Sequence, residues 1–153
     1  FAFQASTIGD AGAIMATAAT SAGYSGTPLA KKLSLRPGLR VWFDAMPDSV
    51  AAGIDTPGLI RLPAPQPPID AAHIFVIERA AMAAKLAALR PLLAPTGFIW
   101  VSWPKKASKA PTDITEDVIR AVILPASDLV DVKVCAVDAI WSGLKLMIRK
   151  EAR

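Results

Sequence analysis

The sequence predicts an α/β domain of three layers, a mostly parallel sheet with helices on both faces and an antiparallel hairpin at its C-terminal end. Three observations predict it. Residues 71–77 and 98–103 are continuous apolar runs of strand length, apolar on both faces as strands covered by helices from both sides would be. Between them Met82, Leu86, Leu89 and Leu93 recur at three- and four-residue intervals, the stripe of a crossover helix, so the two strands are expected to run parallel. After a second helical stretch, Val130, Val132, Val134 and Ala136 and then Leu144, Leu146 and Ile148 alternate with more polar residues, which reads as the hairpin.

The elements follow in order. Residues 1–20 are rich in Ala, Ser, Thr and Gly and have no basic residue ahead of their apolar stretch, unlike a secretory signal; they are expected to be a weakly structured leader, with Met15 reading as a natural start and 21–153 as one domain. Thr27 is placed as the N-cap of a short helix with Pro28 at its first position, and Arg36-Pro37-Gly38 stops it. A strand is expected over 39–46, a short helix from Asp48 to Ala52 closed by Gly53, and a weak strand over 59–62 before a stiff, proline-rich connector at 63–68. The crossover helix ends or kinks at Pro91, and Pro95-Thr96-Gly97 makes the turn into the second long strand. Asp113 with Glu116 resembles a capping box for a helix running to about Pro125. Trp141-Ser142-Gly143 falls in the hairpin connection.

Composition narrows the function classes. With 153 residues one core is expected, and no apolar run approaches the ~20 residues of a membrane helix. The net charge of +4 favours anionic partners weakly, and no nucleic-acid recognition module is present, so nucleic acid is not the expected partner. Cys135 is the only cysteine and forms no internal disulfide, which suits a reducing cytoplasmic setting and a structural thiol in a strand. His73 is the only histidine, so a histidine metal cluster or a Ser, His, Asp triad would rest entirely on it; it begins a buried strand and is expected as a satisfied core side chain, with no metal expected.

Two resemblances rest on these residues. The stretch from Asp70 to Arg149, with Leu92-Leu93-Ala94-Pro95-Thr96-Gly97 before a strand and a terminal hairpin, resembles the later half of class I S-adenosylmethionine-dependent methyltransferases, and so implies a truncated Rossmann-like sheet of that kind. Tyr24-Ser25-Gly26-Thr27-Pro28-Leu29-Ala30-Lys31-Lys32, Trp100-Val101-Ser102-Trp103-Pro104-Lys105-Lys106, Val132-Lys133-Val134-Cys135-Ala136-Val137-Asp138 and Trp141-Ser142-Gly143-Leu144-Lys145-Leu146 together resemble a family of small bacterial proteins of unknown function, from about residue 21 to the end. That family implies no activity. Two departures from the methyltransferase pattern stand out. The turn Asp44-Ala45-Met46-Pro47-Asp48-Ser49 has no glycine to let a cofactor approach the backbone, and no acidic residue follows Leu59-Ile60-Arg61-Leu62 to hold ribose hydroxyls. No cofactor is therefore expected.

Candidate ligand residues come from three segments. Trp103, Lys105 and Lys106 follow a central strand at the edge where open α/β sheets bind ligands. Tyr24, Ser25, Gly26 and Thr27, with Lys31, sit at the mouth of a capped helix that could hold an anion. Trp141 and Ser142 could line the same cleft, and the carboxylates Asp44, Asp48 and Asp138 offer no preferred pair for general base work. The expected function is a cytoplasmic domain that binds an anionic small ligand or a protein partner without a recognisable catalytic centre. The alternative is a divergent methyltransferase-like transferase lacking the glycine-rich loop.

Overall fold

The computed structural model describes residues 28–153. Six strands, β1 (Arg40–Asp44), β2 (Ile60–Arg61), β3 (Ile69–Phe75), β4 (Leu93–Pro104), β5 (Leu129–Ala136) and β6 (Trp141–Ile148), form one sheet in the order β2-β1-β3-β4-β6-β5. Pairs β1/β2, β1/β3 and β3/β4 are parallel, while β6 runs antiparallel to both β4 and β5. The last strand of the chain is thus inserted between β4 and β5, and β5 runs in the direction of β4. The expected mostly parallel three-layer sheet with an antiparallel C-terminal hairpin is what forms. No helix among the described residues is long and apolar enough to cross a membrane.

Both faces are covered because the central strands are apolar on both. On one face Ile69, Ala72, Ile74, Ile99, Val101, Leu144 and Leu146 pack with Met82, Leu86 and Leu89 of α3 (Arg79–Leu89) and Ile119 and Ile123 of α4 (Glu116–Ala126). On the other, Val41, Ala71, Phe75, Phe98 and Trp100 pack with Ala30 of α1 (Leu29–Lys32), Val50 of α2 (Asp48–Ala52) and Leu33, Leu35 and Leu39 from the chain leading into β1. Trp100, fully buried, satisfies its indole N–H by donating to the Leu33 carbonyl at 2.9 Å, which ties that leading segment to the middle of the sheet.

Several boundaries differ from those the sequence predicts, each for a local reason. The expected N-cap Thr27 lies outside the described residues, and Pro28 precedes α1 with an extended ψ of 141° in place of occupying its first turn. Strand β3 starts two residues early and releases Val76 and Ile77. Asp113 does not cap α4; its carboxylate accepts the Arg79 amide at 2.7 Å at the start of α3, and Thr115 caps α4 by accepting from the Val118 amide. Trp141, Ser142 and Gly143 are the first three residues of β6, because Asp138 closes the preceding turn by accepting the Ile140 and Trp141 amides at 2.8 and 2.7 Å. Val132 and Val134, which the alternation places inward, are 48% and 46% exposed: β5 is an edge strand, and its pairing shifts between Asp131 and Lys133. Arg120 of α4 holds this strand through Asp131 at 2.9 Å while also binding Glu116 and Asp117.

The turn expected at Pro95-Thr96-Gly97 is absorbed into β4, whose pairing with β3 jumps from Ile69–Leu93 to Ala71–Phe98. Gly97 allows this. A Cβ there would lie 2.7 Å from the Ile69 carbonyl oxygen and 3.0 Å from that of Ala94, so backbone would have to move. Gly97→Ala is expected to destabilise the fold by about 1–3 kcal/mol, the usual cost of forcing atoms into a filled site, read as a lower urea midpoint at unchanged slope.

Candidate functional site at the C-terminal edge of the sheet

Parallel strands β1, β3 and β4 end together at Asp44, Phe75 and Pro104, and this edge is where open α/β sheets place ligands. At the end of β1, Asp44 pairs with Lys85 of α3 at 2.8 Å, both partly exposed. The next residue, Ala45, has φ of +59°, a left-handed conformation uncommon for a residue with a side chain. At the end of β2 the Arg61 guanidinium lies 4.8 Å from the centre of the Phe43 ring. Phe43, Met46, Thr56 and Arg61 help line a small cavity of about 150 Å³ there. The end of β3 is overlaid by the 112–113 segment, with Thr112 donating its hydroxyl to the Ile77 carbonyl at 2.7 Å.

The expected ligand residues are distributed as follows. Tyr24, Ser25, Gly26 and Thr27 lie outside the described residues, and Lys31 is exposed on α1. The segments Trp103–Lys106 and Trp141–Ser142 are brought together: Pro104 lies opposite Trp141, Trp103 opposite Ser142, and the Lys105 amide donates to the Ile140 carbonyl at 2.7 Å. Their tryptophans nevertheless do not line one cleft. Adjacent positions in a strand point to opposite faces, so Trp103 packs with Ile114 on the α3 and α4 face, whereas Trp141 meets Phe75 edge-on at 5.1 Å on the other. Trp103 instead borders a shallow hollow of about 380 Å³ with Thr115, Glu116, Asp117 and Arg120. Of the three carboxylates weighed from the sequence, Asp138 is spent on the turn and Asp48 opens α2, which leaves Asp44 at the end of a parallel strand.

A buried polar pair was not visible in the spacing. His73 Nε2 and Ser102 Oγ lie 2.6 Å apart on neighbouring strands, the residues being 2% and 0% exposed, and the His73 ring stacks on Phe75 at 4.3 Å. Burial lowers the His73 pKa from 6.5 to about 3. The pair is closed off from substrate and serves the core. Cys135 is half-buried, and burial raises its thiol pKa against the opposing pull of Lys32 and Lys133, so it is no ready nucleophile. A groove of about 730 Å³ between α3 and α4 is lined by Leu86, Val122 and Ile123 and by the two-pronged Arg90–Asp128 pair, and lies away from the strand ends.

The ribosomal protein L11 methylase from Lactobacillus delbrueckii subsp. bulgaricus matches this architecture with a TM-score of 0.51 and 11% identity, over 94% of this chain and 88% of that one. The fold is methyltransferase-like. LepI, in its complex with SAM, matches at 0.50 with 12% identity over 79% of this chain and 39% of its own, and TrmN from Thermus thermophilus at 0.48 with 13% identity over 78% and 47%. This chain therefore spans less than half the length of LepI and of TrmN. No family model and no curated protein matches the sequence.

The described residues do not make the usual S-adenosylmethionine cradle. The turn after β1 has the left-handed bend but carries Ala45 and Met46 where a close cofactor approach needs glycine, and the end of β2 presents Arg61 where a ribose-binding acid would stand. The adjoining cavity is about half the ~300 Å³ at which small-ligand sites begin.

His73 sets a pH dependence whose sign is fixed. Below pH 6.5 the unfolded chain binds a proton that the folded chain, with its pKa near 3, refuses, so stability is lost as pH falls from 6.5 toward 3. The expected slope is up to about 1.4 kcal/mol per pH unit. Denaturant unfolding at pH 7.5 and 5 should show this loss in the wild type, and His73→Phe should remove that share of it.

Proposed function

We propose that this chain is a divergent methyltransferase-like domain that takes a small ligand at the C-terminal ends of β1 and β3, in a mode other than the usual cofactor cradle. The observation that carries the reading is the position of Asp44. It is a carboxylate at the end of the first parallel strand, followed at once by a left-handed turn at Ala45, in a chain whose fold is similar to that of the L11 methylase over 94% of its length. Lys85 fixes the carboxylate from α3, and Phe43, Met46 and Arg61 shape the surface beside it. The reading assigns Asp44 a ligand-holding role and draws no reaction step from it.

A second reading, a binding domain without catalysis, is favoured by a different observation. The described pair that most resembles a base and a hydroxyl nucleophile, His73 and Ser102, is sealed in the sheet. In that case the edge where Trp103, Lys105 and Lys106 meet Trp141 and Ser142 receives an anionic small molecule or a protein partner.

Calorimetry separates the two. The transferase reading predicts saturable binding of S-adenosylmethionine or S-adenosylhomocysteine that Asp44→Asn weakens by about tenfold, the worth of one charge-assisted hydrogen bond. No heat of binding with either compound at millimolar concentration ends the transferase reading and leaves the binding domain.

A further inference from the structure

On the face that carries α1, one row of the sheet reads Phe43, His73, Trp100, Lys145 and Lys133 across β1, β3, β4, β6 and β5. The first three pack beneath α1, α2 and the segment after α1. The last two set lysines directly opposite each other on neighbouring strands, an arrangement that destabilises a sheet because like charges face one another at cross-strand distance. Two further cations, Lys32 and Arg36, stand two residues to either side of Ser34, whose hydroxyl touches Lys145. Arg36, with Lys133, raises the local positive potential at Lys145, and Lys32, with Lys133, does so at Cys135. Among the described residues none of these four makes an ion pair with a carboxylate.

Lys145 is held in place. Its ammonium donates to Ser34 Oγ at 3.0 Å and sits 4.4 Å from the centre of the Phe98 ring. Ser34 has φ of +62°, a conformation that a residue with a side chain keeps only when its surroundings enforce it. Lys133 reaches back to 5.9 Å from the Trp100 ring. A lysine on an edge strand can guard against strand pairing, which would account for Lys133. It does not account for Lys145, which is half-buried on the internal strand β6. Burial foremost, and after it the neighbouring charges of Lys133 and Arg36, pushes the Lys145 pKa below its usual value.

We propose that Lys32, Arg36, Lys133 and Lys145 form a binding site for a ligand bearing adjacent phosphates, a diphosphate group. A diphosphate places two linked anionic centres across the Lys133–Lys145 pair, with the Arg36 fork suited to a phosphate's paired oxygens. This site lies within the α1 face, at the level of Trp100, and is separate from the strand ends discussed above.

Calorimetry and thermal unfolding of the full chain with inorganic pyrophosphate, orthophosphate and ADP test it. Pyrophosphate is expected to bind saturably and raise the unfolding temperature, and orthophosphate to bind more weakly. Lys133→Gln and Lys145→Met should each weaken pyrophosphate by about tenfold, and Lys150→Gln, an exposed lysine elsewhere, should leave it unchanged. Without ligand, Lys145→Met should unfold at a higher temperature than the wild type because the facing charges are relieved. ADP binding more tightly than pyrophosphate identifies a nucleotide as the source of the diphosphate; equal affinity identifies the free anion. The proposal is overturned by absence of saturable pyrophosphate binding, by equal binding of orthophosphate, or by Lys150→Gln weakening binding as much as Lys133→Gln. Lys133 is exposed on an edge strand, so its substitution leaves the core untouched and tests the site independently of Lys145→Met.

Discussion

The parallel pairing of β3 with β4, buried on both faces, is the constraint from which the rest of the structure follows. A strand covered on both sides has no water to satisfy its polar side chains, so those it carries must find partners within the sheet. His73 meets Ser102 across this pair, and Trp100 reaches the Leu33 carbonyl. The second contact fixes the chain that enters β1, and with it the height at which β1 ends. The crossover through α3 then brings Lys85 to Asp44. One buried strand pair therefore positions the C-terminal strand ends.

Much of this frame could be read from the sequence. The runs around Ile74 and Ile99 announced themselves by continuous apolarity, and the stripe Met82, Leu86 and Leu89 gave the crossover, whereas Leu93, read as its last turn, opens β4 because the helix ends at Leu89 ahead of Pro91. The hairpin was legible from alternation, but its place in the sheet was not. Alternation states which residues share a face and is silent about which strand is the neighbour, so the insertion of β6 beside β4 depended on long-range packing. Val132 and Val134 misled for the same reason: a valine reads as inward until the strand proves to be an edge.

The site was less legible than the frame. The segments Trp103–Lys106 and Trp141–Ser142 do meet, yet a register one residue away from a tryptophan pair sends Trp103 and Trp141 to opposite faces. The facing of Lys133 and Lys145 was hidden too, since each lysine alone is an ordinary polar position in an alternating strand. The sheet is methyltransferase-like in fold, the turn after β1 carries Ala45 and Met46, and positive charge gathers on a different part of the surface.

The row Ile74, Val101, Leu144 and Val134 runs across four strands and holds the whole account, since it records both the parallel centre and the inserted last strand. Backbone proton contacts measured by nuclear magnetic resonance in solution test it most directly. The account predicts contacts of Val101 with Ile74 in the parallel pattern and with Leu144 in the antiparallel pattern, and of Leu144 with Val134. Contacts linking Val101 directly to β5, or an antiparallel pattern between Ile74 and Val101, would contradict it.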